Sequence, residues 1–316
     1  MIRVEGLRKV YGDFAAVQGS SFAVEPGEIF GVVGPNGAGK TTTLKSVAGL
    51  LEPTDGTVRV AGRPADDPGT RTALGFLPEE SPLYEDMTAR SYLRFFADLY
   101  DVPRDVADGR IESALDDLEL DHRDRRLGDV SKGMKRKVAI ARSLVNDPDV
   151  LVYDEPASGL DPLTTNYVLE FVRELAGSGK TVLFSAHNLH HVESICDRVA
   201  ILNEGVIVAR GTVESIRAEY GETTYRVFTT VPVEGSGPDG DRHVVRVGSM
   251  DAVESVRERA AAAGGEVADI RTLESTLEEI FLDVAGRPTP GSRRVTPDSE
   301  AARPVEAERP ALGVEE

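Results

Sequence analysis

The chain has 316 residues, enough to bury a large core, and we expect a main domain with an appendage. Its formal net charge of −18 at pH 7 argues against general nucleic-acid binding, because most of its surface would repel phosphate. The single cysteine, the lack of an apolar signal-like N-terminus and the lack of any apolar run near ~18 residues predict a cytoplasmic protein that reaches a membrane only through a partner.

The first predicted elements are short strands. Between Ile2 and Val33, runs such as "SFAV" and "EIFGVVG" are broken by Gly and Pro, which is typical of strands joined by tight turns. We interpret this region as an N-terminal antiparallel β-subdomain. After Lys40, apolar residues recur at helical intervals from Leu44 to Leu51, and "EPTDG" ends this helix before a strand at "TVRVAG".

Residues 88–127 carry apolar side chains at helical spacing, which predicts an inserted α-helical lobe over about 88–148. From Val138 onward, helices alternate with buried strands. The runs "DVLVYDE" and "TVLFSAH" are too short for helices and are typical of central parallel strands. The predicted fold class is therefore α/β, with a parallel sheet at its centre.

The C-terminal part of the sequence predicts an appendage. The Gly/Pro/Asp loop "VPVEGSGPDGDRH" is flanked by strand-like runs and followed by an Ala/Arg/Glu helix and "EVADI". We predict a main domain over 1–220, a small α/β domain over 221–285 and a disordered tail over 286–316, because the tail is rich in Pro and charge and has no apolar period.

The strongest chemical signal is "GPNGAGKT", which matches the phosphate-loop pattern between a predicted strand and a predicted helix. Its backbone N–H groups can close around phosphates, Lys40 can reach the β- and γ-phosphates, and the Thr41 hydroxyl can bind Mg²⁺. The predicted core is therefore of the P-loop NTPase type and binds a nucleotide. The residues assigned to the nucleotide in this stretch are Gly34, Pro35, Asn36, Gly37, Ala38, Gly39, Lys40, Thr41 and Thr42.

A second signal is the pair of carboxylates that ends "DVLVYDEP". We expect Asp154 to hold Mg²⁺ and Glu155 to act as general base on the attacking water. Because adjacent strand residues point to opposite faces, a turn starting at Pro156 has to re-aim one of the two.

The basic stretch "VSKGMKRKVAI" lies between these two signals in the sequence. A phosphate loop, a helical lobe, this stretch, the carboxylate strand and a later histidine together resemble the ATP-binding cassette family over residues 1–220. "VSKGM" stands where that family has leucine, serine, glycine, glycine and glutamine. Ser131 and Gly133 match, whereas Val130, Lys132 and Met134 depart.

The resemblance implies that two copies of the chain face head to tail, so that Ser131, Lys132 and Gly133 of one copy close over the γ-phosphate bound to the other. Ser131 suits this role as an N-cap at the positive end of a helix. The following cations, Lys135, Arg136 and Lys137, are interpreted as a solvated rim or as contacts to carboxylates, with phosphate contacts as the alternative.

The resemblance also implies roles for four further residues. Tyr11 is expected to stack on adenine, Asp161 in "ASGLDP" to lie at the dimer interface, and His187 to contact the γ-phosphate. Glu79 stands where the family usually has glutamine and is a candidate metal contact that can accept but not donate a hydrogen bond. A competing interpretation makes His187, His190, His191 and Cys196 a zinc site.

The function implied is ATP hydrolysis by a subunit that drives a separate membrane permease, with export as the expected direction and the inner face of the cell membrane as the expected location. "STLEEIFLDVAG" resembles the end of cassettes that pair with such permeases, and Leu83 and Tyr84 either dock the permease or pack within the lobe. The alternatives are a soluble ATPase of the same family, acting on a ribosome or another partner, and a regulatory module without turnover.

Overall fold

The computed structural model describes residues 1–286, which form three β-sheets and the helices around them. The predicted disordered tail lies outside the described residues, except Gly286, with which the last helix ends. Within residues 1–286, no helix has both the length and the apolar character needed to cross a bilayer.

The N-terminal sheet is antiparallel, as predicted, with the strand order β2-β1-β4-β5. Its strands are β1 (Ile2–Tyr11), β2 (Phe14–Val24), β4 (Asp55–Val60) and β5 (Arg63–Pro64). Alternate residues of β1 such as Ile2 and Val4 are buried, while their neighbours face solvent. This period-2 pattern is that of a sheet with one face on the core.

The central sheet has the order β10-β9-β3-β8-β7-β6 and is parallel except for β10 at its edge. Its strands are β3 (Ile29–Val33), β6 (Leu74–Leu77), β7 (Val150–Asp154), β8 (Thr181–Ala186), β9 (Arg198–Asn203) and β10 (Val206–Gly211). Strands β3, β7 and β8 are buried at every position, which explains their continuous apolar runs. Their carboxyl ends lie side by side at one edge.

Helices cover both the central sheet and its insertions. They are α1 (Lys40–Val47), α2 (Pro68–Thr72), α3 (Ala89–Leu99), α4 (Arg104–Asp117), α5 (Lys132–Leu144), α6 (Pro162–Gly177), α7 (Leu189–Ile195), α8 (Val213–Tyr220), α9 (Met250–Ala262) and α10 (Leu277–Gly286), with a 3₁₀ turn at Leu127–Asp129. Helix α1 ends at Val47, so the predicted helical residue Leu51 lies beyond it. Thr88 and Ser91 form a capping box that fixes the start of α3, the first helix of the predicted lobe.

The C-terminal sheet is antiparallel, with the order β12-β13-β11-β14. Its strands are β11 (Thr223–Thr229), β12 (Gly237–Asp239), β13 (Arg242–Val247) and β14 (Val267–Glu274). Helix α9 covers one face, where Val227, Val253 and Val256 form a small core. Helix α10 instead buries Leu277 and Ile280 in the large core that also contains α7. The domain boundaries at residues 220 and 285 remain predictions.

Candidate active site

The loop between β3 and α1 contains glycines that no other residue could replace. Gly34 and Gly39 have φ angles of +152° and +101°, and a Cβ atom would lie 2.2 Å from the Leu202 oxygen at Gly34 and 2.5 Å from the Ala16 oxygen at Gly39. Gly39 caps α1 without a side chain, so the N–H groups of the first helical turn have no side-chain partner at that position. This loop is a backbone cradle suited to an anion.

Lys40 folds back over this cradle. Its Nζ atom donates to the carbonyl oxygens of Gly34 at 2.9 Å and Pro35 at 3.2 Å, and lies 3.5 Å from Glu155 Oε1. The side chain is only 6% exposed. A buried ammonium needs partners that balance its charge, and here one carboxylate and two carbonyls provide them.

Asp154 ends strand β7 with one carboxylate oxygen satisfied and the other not. Oδ1 accepts a hydrogen bond from Ser185 Oγ at 2.6 Å, whereas Oδ2 is buried and has no hydrogen-bond partner within the described residues. Burying an ionised oxygen without a partner is costly. The orphaned oxygen is therefore an observation in favour of a cationic ligand at this point.

Glu155 departs from the strand conformation of its neighbours. Its φ angle is +49°, in the left-handed region that costs a non-glycine residue about 1–3 kcal/mol. This conformation breaks the alternation of the strand. The sequence predicted a re-aiming turn that starts at Pro156; the structure places it at Glu155 itself.

The Glu155 carboxylate contacts two of the predicted site residues, the nucleotide-binding Lys40 and the catalytic His187. Its Oε1 atom faces Lys40, its Oε2 atom lies 2.8 Å from His187 Nδ1, and its backbone N–H donates to Ser185 Oγ at 3.0 Å. The carboxylate is nearly inaccessible, while the imidazole of His187 is more than half exposed. Glu155 is thus held from several sides, and His187 covers it from the solvent side.

His187 lies in a loop, as predicted, because α7 begins only at Leu189 with Asn188 as its cap. Among the described residues, no group of three or more His, Cys, Asp and Glu side chains is arranged to hold a metal ion. Gly31 of β3 is packed against Cys196, where burial raises the pKa of the thiol. The zinc interpretation has no support in this geometry.

An aromatic wall completes the cavity of about 410 Å³ in front of Lys40. Tyr11 lines it as predicted, and Phe14, which sequence reasoning missed, lines it too. The two residues face each other across the two-residue turn Gly12–Asp13 between β1 and β2, and Phe14 is 63% exposed. The signal was available in "YGDF", because a Gly-Asp pair between two aromatics is typical of a hairpin.

Two other predicted residues lie on the rim of this cavity. Thr41 and Glu79 both line it, together with Thr42 and Asn36. The Glu79 side chain is exposed, and its backbone oxygen accepts a hydrogen bond from Arg136 at 2.9 Å. The structure therefore brings Glu79 to the same cavity as Lys40.

The stretch around Ser131 lies elsewhere. Ser131 caps α5 by accepting from the Met134 N–H at 3.2 Å, and a Cβ atom at Gly133 would lie 3.2 Å from Thr164. Asp161 caps α6 and accepts a 2.6 Å hydrogen bond from the Thr164 hydroxyl, which lowers the pKa of the Asp161 carboxyl. Ser131, Lys132, Gly133 and Asp161 are not among the described residues that line the Lys40 cavity.

The three cations behind Gly133 differ in their surroundings. Lys135 pairs with Glu85 at 2.9 Å, which confirms a carboxylate contact, and Lys137 lies 3.8 Å above the Tyr167 ring. For Arg136 the predicted solvated rim or carboxylate contact is wrong, because its guanidinium is buried and donates to backbone carbonyls. Those carbonyls belong to loops remote in sequence, so spacing along α5 could not predict the contact.

Comparison with known proteins gives consistent matches. The family model described as "ABC transporter" matches residues 17–158. The ABC transporter ATP-binding protein NatA of Bacillus subtilis (strain 168) is 40% identical, over 70% of this chain and 92% of its own length. The Nod factor export ATP-binding protein I of Burkholderia pseudomallei (strain 1710b) is 35% identical over 90% of this chain and 97% of its own length.

Two further proteins, one curated relative and one solved structure, are also similar to this chain. The linearmycin resistance ATP-binding protein LnrL of Bacillus subtilis (strain 168) is 31% identical over 91% of this chain and 99% of its length. A solved ATP-binding subunit of an ABC transporter superposes with a TM-score of 0.64 at 34% identity, over 70% of this chain and 93% of that chain. The predicted fold class is confirmed by this likeness.

Proposed function

Because the chain belongs to the ATP-binding cassette (ABC) transporter family as an ATP-binding and ATP-hydrolysing subunit, we propose that it drives a separate membrane permease as part of an exporter. We further propose that the residues around Lys40, Asp154 and Glu155 carry the hydrolysis. Two of the similar proteins bear names that refer to Nod factor export and to linearmycin resistance, which favours export over uptake.

One observation carries the proposal for catalysis. Glu155 contacts both Lys40 and His187, with carboxylate distances of 3.5 Å and 2.8 Å, and follows directly after Asp154 and its unpartnered oxygen. A phosphate-binding lysine, a general base and a cation-binding carboxylate thus share one edge of the sheet. Such a set suits in-line attack of water on a γ-phosphate.

Phosphate binding is assigned to the loop from Gly34 to Gly39 and to the residues that follow it. The backbone N–H groups of the loop and of the first turn of α1 would bind the β- and γ-phosphates, with the Thr42 hydroxyl beside them. Lys40 would exchange its two carbonyl partners for phosphate oxygens. Because this lysine is already held at the loop, it loses little freedom when it turns to the nucleotide.

The site fits a Mg²⁺ ion by its donor set. Oxygen donors are those that Mg²⁺ prefers, and the buried Oδ2 atom of Asp154 lacks a partner, while Thr41 and Glu79 line the adjoining cavity. These three residues would hold the ion. When bound, it supplies positive charge to the phosphate oxygens.

Hydrolysis itself is assigned to Glu155 and His187. Glu155 accepts a proton from the attacking water as general base, and its fixed backbone keeps the carboxylate aimed. His187 shields this carboxylate from solvent and, through the hydrogen bond at Nδ1, orients it. Its exposed position leaves the imidazole free to meet a γ-phosphate that enters from the Lys40 side.

Base binding is assigned to the aromatic wall. Tyr11 lines the cavity next to Lys40, and Phe14 stands opposite it across the hairpin turn. Aromatic rings stack on a base at little cost in side-chain entropy. We include Phe14 in the adenine site on this ground.

A second copy of the chain is expected to complete the site. Ser131, Lys132, Gly133 and Asp161 do not line the Lys40 cavity of their own chain, so contact with nucleotide requires that they come from a partner copy. Lys132 is exposed in the first turn of α5, where its ammonium adds to the positive helix end. Head-to-tail pairing would bring this turn over the γ-phosphate.

We expect the permease to dock on exposed apolar side chains at Tyr84, Phe95, Leu99 and Tyr100. All four are partly exposed, and Tyr84, at 56%, lies edge-on to Phe95 at 5.7 Å between ring centroids. Leu83, by contrast, packs against the large core. An exposed aromatic cluster beside a loop that leads to Glu79 is suited to a membrane partner at the inner face of the cell membrane.

A pull-down tests the proposal. Tagged Glu155→Gln protein, incubated with Mg-ATP in gently solubilised native membranes, should retain a polytopic membrane protein that mass spectrometry identifies. The double variant Glu155→Gln/Tyr84→Ala keeps the ATP site and should lose that protein. Recovery of ribosomes or soluble factors alone would replace the permease by a soluble partner.

A further inference from the structure

Arg136 is a buried charge on α5 whose partners are all backbone carbonyls. Its side chain is 8% exposed. Nε donates to Pro156 at 2.8 Å, Nη1 to Pro78 at 2.8 Å and Glu79 at 2.9 Å, and Nη2 to Asp154 at 3.0 Å and Glu155 at 2.8 Å. One guanidinium therefore joins α5 to the loop after β6 and to the turn after β7.

Geometry explains why this position carries an arginine. A guanidinium has five N–H donors in a rigid plane, and here they reach five carbonyls in two loops. Among the described residues, Arg136 forms no ion pair, although the negative charges of Asp154 and Glu79 lie near enough to raise its pKa. Burial lowers its pKa to about 10, so the group stays charged at neutral pH without an ion pair.

The carbonyls that Arg136 holds flank the strained residue of the site. Glu155, with its positive φ angle, has its N–H bound to Ser185 Oγ and its carbonyl bound to Arg136. The carbonyls of Asp154 and Pro156 on either side are held by the same guanidinium. A left-handed non-glycine conformation persists only where the surroundings over-determine it, and these bonds do so.

We propose that Arg136 is a positioning residue for hydrolysis, which fixes the left-handed backbone of Glu155 so that its carboxylate stays between Lys40 and His187. The proposal rests on the function proposed above for Glu155. Arg136 itself touches neither Lys40 nor the cavity in front of it, so its effect on the reaction passes through the backbone it holds. Its loss should therefore reduce the rate of the chemical step more than the affinity for nucleotide.

The test compares Arg136→Gln and Arg136→Lys with the matched control Lys137→Gln. The control removes a cation from the next residue of α5, which contacts the Tyr167 ring. For Arg136→Gln we expect kcat to fall about 10- to 100-fold, as small displacements of a reacting group do. The Kd for a fluorescent ATP analogue with Mg²⁺ should change less than about threefold, since the phosphate loop is untouched.

Arg136→Lys separates positioning from bulk stability. Its ammonium restores the buried charge and three donors but not the planar fork, so kcat should recover in part while remaining below wild type. Equilibrium unfolding in urea is measured on each variant to confirm that the protein assayed is folded. Lys137→Gln should hydrolyse ATP at the wild-type rate.

Four results would overturn the inference. An unchanged kcat in folded Arg136→Gln would show that Glu155 keeps its place without the guanidinium. Equal losses of kcat and ATP affinity in folded protein would show that Arg136 acts on nucleotide binding, through Asp154 and Glu79, whose carbonyls it also holds. Loss of the fold in both Arg136 variants would show that the residue acts through stability alone. If wild-type protein itself hydrolysed no ATP, the function proposed above would fail before this inference is reached.

Discussion

The nucleotide site and the C-terminal sheet lie in one chain but obey different constraints. At the site, the buried ammonium of Lys40 is held by two carbonyls and a carboxylate, and one oxygen of the buried Asp154 carboxylate has no partner among the described residues. In the C-terminal sheet, the core is a few valines under α9, and charged residues such as Arg226 and Arg271 lie on the outer face over Phe228. Ligand chemistry sets the residues of the first region, whereas simple packing sets those of the second.

This difference has an energetic side. The left-handed backbone of Glu155 and the unpartnered Oδ2 atom of Asp154 both reduce the stability of the folded protein in the absence of a ligand. In the C-terminal sheet, no described residue other than glycine has a positive φ angle. Substitutions at the nucleotide site should therefore reduce activity and leave stability unchanged. Substitutions in the C-terminal sheet should reduce stability and leave activity unchanged.

The largest effect should come from Glu155→Gln. Glutamine keeps the shape and size of the side chain but cannot act as a general base, so kcat should fall by about 10²- to 10⁴-fold. ATP should still bind, so size-exclusion chromatography with Mg-ATP should reveal a dimer that persists. Glu214→Gln, at an exposed position of α8, serves as the control and should keep wild-type activity. A Glu155→Gln protein that turns over at the wild-type rate would remove Glu155 from catalysis.

Helix α10 tests whether packing away from the nucleotide site affects stability without affecting activity. It follows the C-terminal sheet in sequence but belongs to the large core. Ile280 is fully buried there, so Ile280→Ala should lower the free energy of unfolding by about 2–5 kcal/mol. Urea denaturation measures this loss, and the folded fraction should keep its kcat.

The control for α10 is Leu282→Ala, two residues further on and 66% exposed. Its effect on the free energy of unfolding should stay within about 0.5 kcal/mol. If both variants unfolded alike, or neither did, α10 would not be anchored in the large core as its burial indicates.

How far the sequence leads depends on whether a feature is local. The phosphate loop and the pair Asp154–Glu155 are contiguous motifs beside strands, so their positions could be predicted residue by residue. The burial of Arg136 depends on carbonyls of Pro78 and Glu79, which lie 58 and 57 positions away in sequence. No pattern within α5 contains that information.

The same reasoning covers the C-terminal region. The order of its strands and helices follows from apolar alternation and turn residues, and the small α/β arrangement was predicted. Which core α10 would join could not be predicted, because its apolar face fits either. In the structure, Leu277 and Ile280 are buried in the large core, and Glu193 of α7 accepts a hydrogen bond at Oε1 from the Leu277 N–H at 2.8 Å.

A smaller effect is expected from that contact. Glu193 also pairs with Arg217 at 3.0 Å and thereby ties α8 and the start of α10 to the helix that follows His187. Glu193→Ala should lower the free energy of unfolding by about 1–3 kcal/mol, because two hydrogen bonds to a charged group are lost. Glu193→Gln keeps an acceptor and should lose less. A drop in kcat at unchanged stability would instead show that α10 and His187 are coupled. The distinction between residues that set activity and residues that set stability would then be weaker.

The smallest effect concerns Phe14, the cavity residue whose signal in the sequence was missed. If it stacks on the base, Phe14→Leu keeps apolar bulk but loses the ring face, which is worth about 0.5–1.5 kcal/mol and hence about two- to tenfold in Kd for Mg-ATP. Stacking tolerates any base, so the affinity for Mg-GTP should fall by the same factor. Tyr11→Leu, on the facing strand end, is the matched comparison and should act similarly. An unchanged Kd in Phe14→Leu, with a weakened Tyr11→Leu, would place the base against Tyr11 alone and leave Phe14 as an exposed hairpin residue.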